Sequence, residues 1–275
     1  MTEVLPILTP VSIDTTIIYT QKLIAIALIL QSIELLLIRN TFSDEGIWRW
    51  QTLSREFDVF SKITRTFLYF FLPYKRFIFL LFSQIVLAIF VLLESTLPIS
   101  PFLFTLAILI SLRWRGSFNG GSDYVTLMVL LVLSVICIFP KSESVKLGGI
   151  LYIAIQITSS YFIAGLIKIR QGNWRNGNAL GAFINSTIYN HDSFIRSLSR
   201  SPAILTLLSW VIIVFEISFI TSLFDPDICR IYIIIAFGFH IANAYIFGLN
   251  RFIFAWAACY PALIYSCNFI SKINL

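Results

Sequence analysis

The sequence predicts an all-α, polytopic transmembrane helix bundle of about eight helices, and three observations carry that prediction. Hydrophobic residues make up 58% of the 275 positions and charged residues only 12%, where a soluble domain has about 25% charged residues. Mean hydropathy is +0.86. The apolar residues also gather into eight separate segments, and a spanning helix needs ~20 of them in a row. So little chain is left over that residues 1–275 read as a single integral membrane domain whose first partner is the lipid bilayer. The expected location is the cell membrane, crossed several times (the inner membrane if the source is a prokaryote). The net charge of +6 lies mostly between the apolar segments. It therefore speaks of topology and lipid headgroups and gives no reason to expect nucleic acid.

The segments are Ile17–Ile38, Phe77–Leu97, Ile99–Leu112, Val125–Phe139, Gly148–Ile167, Pro202–Phe224, Ile231–Phe247 and Phe252–Ile270. The first, second, fifth, sixth and eighth are long enough to stand alone. The third and fourth, at 14 and 15 residues, need tilt, re-entrance or extension by their flanks. Leu97-Pro-Ile-Ser-Pro101 makes a tight turn between the second and third. Residues 47–70 place Trp50, Leu53, Phe57, Phe60 and Phe67 at helical spacing with charges elsewhere. That pattern predicts an interfacial amphipathic helix, or equally a helix packed on the loop face of the bundle.

Fifteen of the twenty Lys and Arg residues fall in the odd-numbered connections between segments. The bias predicts those connections in the cytoplasm and both termini outside. Met1-Thr-Glu-Val opens with no basic region or cleavage signal, so no removable signal peptide is expected. The four cysteines form no CxxC and are read as small buried hydrophobes. No metal ligand set is expected.

An ionisable side chain in hydrocarbon costs on the order of 3 kcal/mol and is rarely idle. Lys22, Glu34 and Glu94 sit toward span ends, where snorkelling accounts for them. Glu216 lies deeper, within Trp210-Val-Ile-Ile-Val-Phe-Glu-Ile-Ser-Phe-Ile220, and requires a partner, a cavity or a proton. His240 and Asn243 are three residues apart on one helical face; they suit a quinone oxygen, a water or a helix-to-helix bridge. The most informative stretch runs from Tyr161-Phe-Ile-Ala-Gly165 through Lys168 to Trp174, Gly177 and Leu180. It ends a helix on a lysine and turns through a Gly/Asn-rich loop. A desolvated lysine is a usable base. On the residues alone the plainer reading prevails: Lys168, Arg170 and Arg175 are ordinary flanking charges, with Trp174 an interfacial anchor.

Those residues resemble a known family. Tyr161-Phe-Ile-Ala-Gly165-Leu-Ile-Lys168 followed by Trp174 and Gly177 is similar to a motif of the vitamin K-dependent γ-glutamyl carboxylases. Phe239-His240-Ile-Ala-Asn243 through Phe247 resembles a second motif of the same family. The loop Ser117-Phe-Asn119-Gly-Gly-Ser-Asp-Tyr124 and Glu216 fit its bacterial relatives, the HTTM-domain proteins. The resemblance covers roughly residues 100–265. It implies a reduced quinone of the vitamin K or menaquinone type as cofactor and Lys168 as the catalytic base. It places His240, Asn243, Trp174, Asn119 and Glu216 about the cofactor. In that chemistry, oxygen oxidises the quinone to its epoxide, and the strong base so generated takes a proton from a substrate glutamate. Three departures accompany the likeness. Gly121 stands where the carboxylases carry a histidine, the Lys168-to-Trp174 spacing is one residue longer, and their large luminal domain has no counterpart. A peptide or protein substrate is then expected to be docked by a partner protein or by the loops.

Two other functions compete with an enzyme. One is a non-catalytic membrane partner in the maturation of, or immunity to, a peptide toxin. The other is a transporter, which ranks last because no inverted repeat or discontinuous helix pair supports it.

Overall fold

The computed structural model describes residues 12–94, 97–114, 120–188 and 193–273. Among them every regular element is helical. In chain order these are α1 (Ile13–Leu37), α2 (Trp50–Leu53), α3 (Lys62–Phe71), α4 (Tyr74–Glu94), α5 (Ser100–Trp114), α6 (Gly121–Ile138) and α7 (Glu143–Arg170). There follow α8 (Gly172–Arg175), α9 (Asn178–Ile184), α10 (Ser193–Leu198), α11 (Pro202–Ser218), α12 (Pro226–Phe247), α13 (Asn250–Ala257) and α14 (Tyr260–Ile273). Within the described residues all eight predicted segments are helical. Seven helical stretches are long and apolar enough to cross a membrane, counting 3-10 turns that extend α11 to Leu223 and α13 with α14 as one. Of the two short segments, the fourth gains length from its flank, since α6 starts at Gly121 and reaches 18 residues. The third stays short: α5 has 15 residues. The chain is a polytopic membrane protein with an α-helical bundle.

The helices divide into two compact units, one of residues Ile17–Gly149, the other from Ile150 onward with the start of α1 up to Thr16. In the first unit the stretch 47–70 is not one amphipathic helix. Trp50–Leu53 is a single α-turn, Ser54–Phe57 a 3-10 turn, and α3 starts afresh at Lys62. The break has a local cause: Ser61 is extended and its hydroxyl accepts from the Thr64 N–H, an N-cap that nucleates a new helix. Trp50, Leu53 and Phe57 are buried in a core with Leu35, Phe42 and Phe77. Phe60 and Phe67 remain exposed. The first half of the predicted amphipathic helix thus packs on its own unit, while Val59, Phe60 and α3 keep apolar side chains exposed.

Arg113 counts by sequence as a loop cation at the end of α5, yet it is fully buried. Its guanidinium donates to the carbonyl oxygens of Leu72 (3.0 Å) and Phe42 (2.9 Å). It also lies within 5.2 Å of the Phe42 ring and 5.5 Å of the Phe77 ring. Those carbonyls end a helix and a 3-10 turn, where acceptors lack partners within the element, and the cation satisfies two of them at once. Arg113→Met is expected to lower unfolding free energy by about 3 kcal/mol, since two buried acceptors lose charge-assisted bonds. Denaturant titration in detergent micelles reads this; an unchanged midpoint would show that the carbonyls find other donors.

The same unit has a polar thread that hydropathy does not mark. Gln84 Nε2 donates to Gln31 Oε1 (3.1 Å) and Ser32 Oγ (3.0 Å), and Gln31 Nε2 donates to Asp123 Oδ1 (2.8 Å). Bonds of this kind join α1, α4 and α6, where packing of apolar surfaces alone gives little specificity in a lipid environment.

The second unit carries the motif-bearing helices. Sharp caps bound them: Ser201 accepts from the Ile204 N–H ahead of Pro202 in α11, and Asp225 from the Asp227 and Ile228 N–H groups ahead of Pro226 in α12. Gly248 closes α12 at φ +68°. Ile231, Ile234, Ile235 and Ile241 of α12 are exposed, an apolar outer face suited to lipid.

Candidate functional site

The site is assembled by a close approach of α7 and α11. A Cβ on Gly165 would lie 2.7 Å from Ile217 Cγ1, 2.8 Å from the Ile217 backbone nitrogen and 3.0 Å from Glu216 Cβ. Only a residue without a side chain permits that approach. One turn further along α7, the Lys168 Nζ lies 2.7 Å from each Glu216 carboxylate oxygen. The pair is shielded on both sides, with side-chain exposures of 17% for Lys168 and 4% for Glu216. Trp174 completes the lysine's surroundings, its ring centroid 5.1 Å from Nζ.

Trp174 is held in place by the Gly/Asn-rich turn. Gly177 adopts φ +78°, and any Cβ there would fall 2.6 Å from the Thr206 backbone nitrogen. The Thr206 hydroxyl donates to the Asn176 carbonyl at 3.0 Å. This corner fastens α8 and α9 to α11 and turns Trp174 back over the end of α7.

On the other side of Glu216 lies a cavity of about 240 Å³, lined by Tyr161, Glu216, His240, Asn243, Phe252 and Trp256, with Ser160, Ala164, Phe239 and Leu249. His240 is buried and its Nε2 shares a 2.6 Å hydrogen bond with the Tyr161 hydroxyl. Among the described residues the buried Nδ1 of His240 has no partner. The walls are aromatic: Phe252 and Trp256 stack with centroids 4.8 Å apart, and Tyr161 stacks on Phe219 at 4.0 Å. Such a wall suits a flat, apolar ring system, and the few polar atoms suit oxygens on its edge.

Of the residues predicted from sequence, the structure brings Glu216, His240 and Asn243 to one cavity. Lys168 and Trp174 do not line it. They join it through Glu216, which lines the cavity and whose carboxylate holds the amine. Asn119 lies outside the described residues. Tyr161, Phe252 and Trp256 also belong to the site. Of these three only Tyr161 falls inside a motif, and the motif's pattern alone gives it no functional role. Among the described residues no three His, Cys, Asp or Glu side chains gather as metal ligands.

Apolar helices around an aromatic-walled cavity with a few polar groups, inside one unit, define a polytopic membrane protein with a candidate site among its helices. Comparison with known families adds a likeness: residues 134–268 match the family model described as HTTM domain. The match runs from within α6 into α14 and takes in every residue of the cavity, while residues 117–124, of which 121–124 begin α6, precede it. No curated protein and no solved structure gives a significant match.

Proposed function

We propose that this protein is a quinone-linked membrane enzyme related to the membrane domain of the vitamin K-dependent carboxylases, acting on a peptide or protein substrate with Lys168 as base. The observation that supports this most is the shielded Lys168–Glu216 pair, whose glutamate lines an aromatic cavity together with His240 and Asn243. The cavity fits the group. Pockets that enclose drug-sized molecules run to about 300–1,000 Å³, and this one, at about 240 Å³, suits a quinone ring with its isoprenoid tail left in the bilayer. The unpartnered Nδ1 of His240 and the amide of Asn243 offer polar contacts to ring oxygens.

A reduced quinone, when bound, supplies the electrons by which dioxygen becomes a base strong enough for carbon acids. The chain's own part is to orient, to move a proton and to exclude water. His240 and Asn243 orient the ring oxygens. With the shared proton of the pair on Glu216, the carboxyl group gives that proton to the Lys168 amine as it takes up the hydroxyl proton, so Lys168 ends protonated and Glu216 unchanged. Because the amine lies against both carboxylate oxygens, its lone pair is available only in the configuration where their shared proton rests on Glu216. The aromatic walls keep water away from a strongly basic site.

The ion pair also favours a second reading. Lysine and glutamate joined at 2.7 Å can serve as a structural clasp between two helices, and the protein is then a non-catalytic partner in toxin-peptide maturation or immunity. One experiment separates the two. The full chain in lipid nanodiscs is given reduced menaquinone or vitamin K and oxygen, and products are followed by chromatography. Epoxide formation that vanishes in Lys168→Ala is expected. Quinone binding without any lysine-dependent product, in folded protein, would refute the enzyme reading.

A further inference from the structure

A second site lies in the first unit, in a groove where the C-terminal end of α1 meets the N-terminal end of α4. The groove has a volume of about 420 Å³ and is lined by Leu36, Arg39, Tyr74, Lys75, Ile78 and Phe82. We propose that it binds an anionic phospholipid, the phosphate between Arg39 and Lys75 and an acyl chain along Leu36, Ile78 and Phe82.

Its polarity is graded along the helices. Tyr74, Ile78 and Phe82 repeat every four residues on one face of α4, so the wall passes from phenol and ammonium to pure hydrocarbon over about 10 Å of helix. On α1, Leu36 is one turn inward from Arg39. A soluble anion would use only the basic end; the apolar length has a role only if the ligand carries a chain. The basic end is reinforced by the first turn of α4, whose backbone N–H groups have no acceptor within the helix.

The two cations are free to serve. Among the described residues neither Arg39 nor Lys75 forms an ion pair; Arg39 makes only a 3.5 Å contact to the Leu36 carbonyl. The adjacent Arg76 is engaged: it donates to the Phe70 carbonyl at 2.6 Å and covers the Phe70 ring. Two neighbouring basic residues thus divide their work, one closing the α3–α4 corner and one facing the groove. Both cations of the groove belong to the connection 39–76, the most basic of the chain with seven Lys and Arg. That connection is expected on the cytoplasmic side, where anionic lipid concentrates.

The test uses the full chain in neutral detergent, with binding of phosphatidylglycerol measured by native mass spectrometry beside phosphatidylcholine and glycerol phosphate. Phosphatidylglycerol is expected to bind saturably and in preference to the other two. Arg39→Gln/Lys75→Gln is expected to weaken it about thirty-fold, given ~1 kcal/mol for each basic residue near a lipid surface. Arg55→Gln/Arg65→Gln, on the same connection but outside the groove, is expected to leave binding within about twofold. Equal binding of phosphatidylcholine, equal competition by glycerol phosphate, or an equal loss in the Arg55/Arg65 variant would each overturn the proposal. None of the four residues is buried, so the variants retain the fold.

Discussion

Lys168→Met is expected to lower unfolding free energy by about 3 kcal/mol, and Lys168→Met/Glu216→Leu to recover most of that loss. Removing one partner of a shielded ion pair strands the other charge, which typically costs about 3–5 kcal/mol, whereas replacing both by apolar groups of similar volume is often neutral. The two single variants need not match. With 4% side-chain exposure against 17% for the lysine, Glu216 is the costlier group to leave alone. Lys168 left alone keeps the Trp174 ring 5.1 Å away and some access to solvent. Glu216→Leu is therefore expected to cost less than Lys168→Met. Denaturant or thermal unfolding of the four proteins in one detergent gives the coupling directly. Strict additivity would mean that the two side chains act independently.

The same set of variants separates stability from chemistry. If Lys168 is the base, the stable double variant turns over no quinone. Lys168→Arg then folds, since a guanidinium can still pair with Glu216, but is inactive because arginine does not give up its proton. Full activity of Lys168→Arg would reduce the residue to a clasp.

How much of this is legible in the sequence depends on the kind of signal. Eight apolar stretches are plain, because hydrocarbon imposes length and composition on any helix that crosses it. Glu216, His240 and Asn243 are also readable as candidates, since a polar group at membrane depth needs a partner, a cavity or a bridge to another helix. The partner of Glu216 is not. Lys168 lies 48 residues away, and only the approach of α7 to α11 joins them. Two expectations fail for physical reasons. Helical periodicity over 47–70 is real, but Ser61 breaks the helix, and periodicity does not register a cap inside a repeat. Arg113 ends an apolar run and looks like a flanking charge, yet the carbonyls of Leu72 and Phe42 fold back over it. Tyr161, Phe252 and Trp256 are hidden among the many aromatic residues of the chain. No composition rule distinguishes a wall of a cavity from a side chain facing lipid.

The approach of α7 to α11 makes Gly165 the position where a single methyl group should matter most. Its Cβ would meet the Ile217 backbone nitrogen at 2.8 Å and Glu216 Cβ at 3.0 Å, closer than such atoms pack, and a helix backbone cannot turn aside as a side chain can. The two helices must separate, and the Lys168–Glu216 pair, one turn along, is the first interaction to break. Gly165→Ala is expected to destabilise by about 2 kcal/mol and Gly165→Val by more, in the range of overpacked cores, and both are expected to abolish whatever activity depends on Lys168. Gly238 supplies the internal control. It sits in α12, two residues before His240, and a Cβ there meets nothing within 4 Å, so Gly238→Ala should stabilise by about 0.5–1 kcal/mol through helix propensity alone. Opposite signs for the same Gly→Ala change on two site-bearing helices would locate the effect in interhelical distance. If Gly165→Ala also stabilised, the helices would have to be farther apart than the 2.8 Å between a Gly165 Cβ and the Ile217 nitrogen allows.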